Sequence, residues 1–263
     1  MPLSIRDVVD GIIGTIPGAP FAETVDTFKT GDPSQPVKGI VTTFLATQAV
    51  IEQAATLGAN LIITHEPTFY NHPDQIEWLA DDPVYQAKRT LIDRHGIVIW
   101  RFHDYWHTHR PDGIITGVLK ALGWEAYADA EHPEVCTIPA LPLDELARYF
   151  KAKLGIATVR VIGEGRLMCR RVGISVGFGG GEWVTPFLHR ANLDALAVGE
   201  IHEWETSEYV RDAVRQGRPW GLIVLGHEPS EEPGMAYLVT WLKQRWPEIP
   251  VTHVPAGYAF RYV

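Results

Sequence analysis

Three apolar segments of this chain end on a histidine, and each of those histidines is followed closely by another histidine or a carboxylate. ANLIIT runs into His65, Glu66 and Pro67. GIVIWRF runs into His103 and Asp104, with His107 and His109 just beyond. WGLIVLG runs into His227 and Glu228, with Glu231 and Glu232 just beyond. Imidazole nitrogen and carboxylate oxygen together are the ligand set of zinc, iron, manganese or nickel. His103 and His107 are four residues apart, as are His227 and Glu231, so each pair can share one face of a helical turn. Adjacent His65 and Glu66 point to different sides if extended, which suits two neighbouring ions better than one. His65, Glu66, His103, His107, His227 and Glu231 thus make a candidate two-metal set of four nitrogens and two carboxylates. The plain alternative is that a strand-end histidine is only a hydrogen-bonded polar residue, and with 11 histidines some clustering arises by chance. Three separate strand ends with the same character favour the metal.

These side chains meet only if the segments before them are strands of one sheet. Apolar runs alternate with helical patterns, the mark of βαβ units and a largely parallel sheet. Strands are expected at 38–45, 59–64 and 96–102, with helices at 47–57, 83–94 and, capped by Asp112, to about 122. Residues 131–143 (EHPEVCTIPALPL) are rich in proline, with Pro133, Pro139 and Pro142, and read as a connector between lobes. Beyond it come a helix at 143–153, strands near 157–162, 171–176, 194–198 and 220–225, and helices at 183–191, 205–216 and 231–246. C-terminal strands are expected near 250–254 and 258–262. In open sheets of this kind ligands bind beyond the carboxyl ends of the strands, where the three histidines fall.

Composition narrows the partners. The 263 residues carry 23 Lys and Arg against 32 Asp and Glu, a net charge of −9, which argues against gripping nucleic acid. Two cysteines, Cys136 and Cys169, cannot build a disulfide framework or a cysteine-rich zinc ribbon. No apolar run reaches the roughly 18–20 residues that cross a bilayer, and MPLSIRDVVDGIIGTIPG is amphipathic rather than signal-like. A cytoplasmic protein without membrane contact is expected.

The same motifs resemble those of the NIF-three-like proteins, the dinuclear-metal hexameric family of type 2 homologues of GTP cyclohydrolase I. That family typically carries His-His-Pro at a strand end, then His-Thr-x-x-Asp, then a late Gly-His-x-x-x-Glu. ITHEPTFY here is similar to the first, FHDYWHTHRPDGI to the second and LGHEPSE to the third. VGISVGFGGGEW (172–183) and DALAVGEIHEWE (194–205) extend the likeness along most of the chain. Glu66 stands where the family has its second histidine, and His107 where it has its aspartate. The exchange keeps four nitrogens and two carboxylates, so it reads as compensatory; were the two changes unrelated, one ion held by His65, His103 and His227 would remain. The resemblance implies an α/β fold of two intertwined lobes. The metal-binding lobe would be 1–125 with 220–263, and 126–219 would form a second lobe inserted in it. It also implies a homohexameric ring.

The function expected is a metal-dependent hydrolase acting on a small molecule, and the family label points to a purine nucleotide such as GTP. Paired ions acidify a bridging water and polarise the oxygen under attack; Glu231 would be the bridge. Cys136 and Cys169 lack a paired histidine, and Ser175 sits within a strand. A metal-stabilised regulatory or assembly protein without catalysis is the alternative. Lesser features stay open between two readings. Glu200 and His202 are either supports or proton carriers at the site, or members of a polar loop. Gly177, Gly179, Gly180 and Gly181 either bring amides to a phosphate or simply turn a strand into a helix. Trp100, Trp106 and Trp204 either wall a flat ring or belong to the core. His72, His109 and Asp104 are neighbours with no assigned role.

Overall fold

The computed structural model describes residues 2–261 and 263 and divides into two compact units. The first comprises 1–114 and 234–257, the second 115–233 and 258–263.

In the first unit, helix α1 (Ile5–Ile13) starts on a reciprocal cap, the Ser4 hydroxyl accepting from the Asp7 N–H while the Asp7 carboxylate accepts from Ser4 N–H. Strand β1 (Phe28–Thr30) follows, then β2 (Ile40–Thr43), α2 (Gln48–Thr56), β3 (Leu61–Thr64), α3 (Pro83–His95) and β4 (Val98–Arg101). Thr47 caps α2. Asp82 caps α3 with Pro83 in its first turn, and Gly96 ends it at φ 59°. The sheet order is β1-β4-β3-β2-β10, where β10 is Val251–His253. β10, β2, β3 and β4 run parallel, and β1 pairs antiparallel along the outer edge of β4. β2, β3 and β4 are buried at every position, as parallel strands covered on both faces must be. A short helix α4 (Asp104–Thr108) leaves the end of β4.

Helix α5 (Gly113–Leu122) carries the chain into the second unit. There β5 (Val135–Pro142), α6 (Leu143–Leu154), β6 (Arg160–Ile162), β7 (Met168–Phe178), α7 (Gly181–Arg190), β8 (Ala195–Glu200), α8 (Glu208–Arg215) and β9 (Gly221–Val224) succeed one another. Helix α9 (His227–Arg245) returns the chain to the first unit. The second sheet has the order β5-β7-β8-β9-β6, with β7, β8 and β9 parallel and β5 and β6 antiparallel at the edges.

Two expectations need correction. The proline-rich stretch expected as a connector is strand β5, and its register breaks between Thr137 and Leu141, around Pro139. An edge strand tolerates proline because one side of it has no ladder to feed. The strand expected near 258–262 is absent: Tyr258–Phe260 is irregular, and Tyr262 lies outside the described residues. The compact units divide at 114/115 and 233/234. β9 pairs with β8 and β6 and so belongs wholly to the second sheet. α1, β1 and α4 are additional to the elements expected.

Candidate metal centre

His65 follows β3 directly and is fully buried. His103 sits between β4 and α4, and His107 lies one turn into α4. The parallel pairing of β3 with β4, Thr64 opposite Arg101, brings the two strand ends level. The His65 and His103 rings stack at 4.6 Å between centroids, and His107 stands 5.1 Å from His65 and 5.2 Å from His103. One donor nitrogen from each lies within 4.8 Å of the other two. Two nitrogens on one zinc ion are at most about 4.2 Å apart, so a modest closing of the rings brings all three onto one ion. Glu66 adds a carboxylate, its Oε1 3.7 Å from His103 Nε2.

The hydrogen bonds behind the rings fix which nitrogen faces the centre. His65 Nδ1 donates to the Phe102 carbonyl at 3.1 Å, which can only accept. His103 Nδ1 faces Asp104 Oδ1 at 2.9 Å, and His107 Nδ1 faces Asp112 Oδ2 at 3.0 Å. Each ring thus has its Nδ1 hydrogen engaged and turns Nε2 toward its neighbours. This is the arrangement metal-ligating histidines adopt, with an outer acceptor setting tautomer and ring angle. Burial, reinforced by His65 and His107 beside it, pushes the His103 imidazole down to about 4, so it carries a lone pair at neutral pH. Burial pushes the Asp104 carboxyl up, but hydrogen bonds from His103 and Thr24 outweigh it and hold the group below its ordinary value. The donor set fits a divalent cation.

Asp26, just before β1, supports the helix that carries two of these rings. Its carboxylate accepts the backbone N–H groups of His103 and Tyr105 at 2.8 Å and of Asp104 at 3.1 Å. The antiparallel register, Phe28 opposite Trp100, is what places residue 26 beyond the end of β4. Burial drives the Asp26 carboxyl up to about 6 in spite of those three donors.

In the second unit, His227 and Glu231 lie on the first turns of α9, with His227 Nε2 3.2 Å from Glu231 Oε2. His227 Nδ1 faces Glu200 Oε2 at 2.9 Å, so Glu200, at the end of β8, supports this histidine as Asp104 and Asp112 support theirs. Gly177 has φ 62°, and a Cβ there would stand 2.3 Å from Glu231 Oε1; only glycine leaves this carboxylate its place. Ser230 braces the same corner, its hydroxyl accepting from Gly177 N–H and donating to the His227 carbonyl.

The lesser features resolve. His202 pairs with Glu205 and stacks on exposed Trp204 at 5.3 Å. The glycine-rich turn leads from β7 into α7, whose Gly181 N–H is taken by Glu205 Oε1. Trp100 and Trp106 are core residues. His109 turns its Nδ1 to the Pro111 carbonyl, while His72 Nδ1 faces Arg101. Both cysteines are buried, and burial pushes their thiols up to about 12, which suits packing rather than nucleophilic attack. Asp26 and Arg101 were missed: a lone aspartate ahead of a short strand and an arginine inside an apolar run carry no recognisable spacing.

The model of the Duf34/NIF3 (NGG1p interacting factor 3) family matches residues 22–256. The chain belongs to that family. Among curated relatives, the "GTP cyclohydrolase 1 type 2 homolog" of Escherichia coli K12 is 27% identical over 217 residues, 79% of this chain and 80% of that protein. The protein of the same description from Clostridium perfringens is 22% identical over 225 residues, 82% of this chain and 81% of its own. Among solved structures, Staphylococcus aureus protein SA1388 superposes with a TM-score of 0.79 at 19% identity over the whole of both chains. A Bacillus cereus protein related to NIF3 superposes at 0.80 with 14% identity, covering 100% of this chain and 99% of that one. At such identities the structural likeness concerns the fold. Membership agrees with the mixed α/β architecture and the buried His/Glu group, and no helix among the described residues is long and apolar enough to cross a membrane.

Proposed function

We propose that this NIF3-family protein is a dinuclear-metal-dependent hydrolase of a small molecule, with His65, Glu66, His103, His107, His227 and Glu231 as the metal ligands. The observation that carries the reading is the trio of Nδ1 hydrogen bonds behind His65, His103 and His107, which turns three Nε2 atoms toward one another. Three imidazoles held this way, His65 buried and His103 and His107 partly so, have their angular freedom restricted before any ligand arrives, so much of the ordering entropy is already spent at folding.

Divalent zinc, iron, manganese or nickel at such a set would acidify a bound water and polarise the oxygen under attack. The protein's own contribution is positional. Asp104, Asp112 and the Phe102 carbonyl keep the imidazoles aligned, Asp26 anchors the turn that carries two of them, and Glu200 aligns His227. Glu200 is also half-exposed, so it is the residue placed to carry a proton between solvent and His227. The names of the curated relatives make GTP the first substrate to try, with a homohexameric ring as the assembly to test beside it.

The experiment is hydrolysis of GTP and of simple phosphoesters by purified protein, before and after chelation and after repletion with each of the four metals. Activity that falls on chelation and returns with metal supports the reading. Chelator-insensitive turnover removes it, and metal uptake that raises the melting temperature without turnover points to the structural alternative.

A further inference from the structure

One buried charge outside the ligand set touches it. Arg101 ends β4 and has no exposed surface. Its Nε donates to the His65 carbonyl at 3.0 Å, its Nη1 to the His72 carbonyl, and its Nη2 to Glu66 Oε2 at 3.1 Å, with His72 Nδ1 3.3 Å away. Asp74 Oδ2 lies 4.0 Å from Nη1 and 3.2 Å from Lys29 Nζ. Lys29, Asp74, Arg101 and Glu66 therefore form a buried row of alternating sign that ends at His103, and the row's formal charges cancel. Two backbone carbonyls and the Glu66 carboxylate accept from the guanidinium, with Asp74 nearby, and these bonds fix where it lies.

Glu66 is thus divided. Oε2 belongs to Arg101, while Oε1 faces His103. A cation arriving among the three imidazoles meets a carboxylate whose charge is already balanced by a fixed cation a few ångströms away. Like charges at that separation repel appreciably in a protein interior. Taking Arg101 away would remove this ion pair from the buried Glu66 carboxylate, a loss that a metal cation beside Glu66 would offset.

We propose that Arg101 is a positioning and affinity-setting residue for the metal centre: it aims one oxygen of Glu66 at the imidazoles and, as a standing counter-ion, weakens their hold on a divalent cation. The proposal rests on the metal-binding reading given above. It also gives Glu66 a balancing partner within the same unit, apart from the exchange at His107 that the sequence alone suggested.

The test is zinc affinity by competition with a chromophoric chelator, together with the melting temperature of chelated protein, for wild type, Arg101→Met, Arg101→Gln, Arg101→Lys and Glu66→Gln. Arg101→Met should melt lower when chelated yet bind zinc at least tenfold more tightly. Arg101→Lys, which keeps the charge, should bind zinc as wild type does. Glu66→Gln, which removes a ligand oxygen and leaves the guanidinium unbalanced, should bind more weakly; should Arg101→Met not fold, Arg101→Gln, which removes the charge and keeps a hydrogen-bond donor, decides the matter by binding zinc at least tenfold more tightly. Unchanged or weaker binding by a folded Arg101→Met or Arg101→Gln overturns the proposal. Wild-type protein that takes up no zinc, iron, manganese or nickel would instead defeat the metal reading on which it rests.

Discussion

At the scale of single residues, the site depends on groups that a sequence does not advertise. The histidines were legible because imidazole at a strand end is uncommon and here recurs. What orients them was not: Asp104 read as a neighbour and Asp112 as a helix cap, and both prove to hold an imidazole. Asp26 was invisible because its partners lie 77–79 residues away and are backbone amides, which every sequence contains. It makes a sharp prediction. A carboxyl raised from 3.8 to about 6 in the fold binds its proton more readily there than in the unfolded chain. The stabilisation this confers is complete below about pH 4 and is lost as pH rises to about 6. His103, lowered to about 4, works oppositely, since stability linked to it falls as pH drops from about 6.5 to 4. Asp26→Asn removes the first effect and leaves the second. The variant's stability deficit relative to wild type should therefore grow by about 2 kcal/mol between pH 7 and pH 4, read from urea midpoints at the two pH values. A deficit that stays constant would show that Asp26 is not the buried carboxylate described.

At the scale of elements, the βαβ rhythm was the most readable feature, because β2, β3, β4 and β7 to β9 are apolar runs punctuated by caps and glycines. Edge elements were harder. β1 has three residues and no alternation to speak of, and β5 carries prolines that argue against a strand everywhere except at an edge. The turn after β7 read as a glycine cluster open to two purposes, yet one member has a specific role, since Gly177 makes room for Glu231. Gly177→Ala should destabilise the protein by about 1–2 kcal/mol through its positive φ alone, with a further loss because the methyl collides with the carboxylate. That second part should vanish when Glu231 is itself replaced. In a double-mutant cycle, Gly177→Ala and Glu231→Ala should couple by about 1 kcal/mol or more. Strict additivity would mean that the turn and the carboxylate are independent.

At the scale of the whole molecule, the chain is a NIF3-family α/β protein whose two sheets are built from interleaved segments, with the division falling inside α5 and α9. An interleaved boundary of this kind is poorly legible, because a helix crossing it shows no break in pattern; only the pairing of β9 reveals where the second unit ends. The same architecture brings His65, His103 and His107 together within a single unit, so that cluster does not wait on the second. The most direct test of the account is a crystal of the protein grown with zinc, with anomalous data collected on both sides of the zinc edge. The account predicts an anomalous peak at bonding distance, about 2.0–2.1 Å, from Nε2 of His65, His103 and His107, with their Nδ1 atoms still on Phe102, Asp104 and Asp112. A zinc-loaded crystal with no peak among these three rings, or with zinc on their Nδ1 atoms, would contradict it.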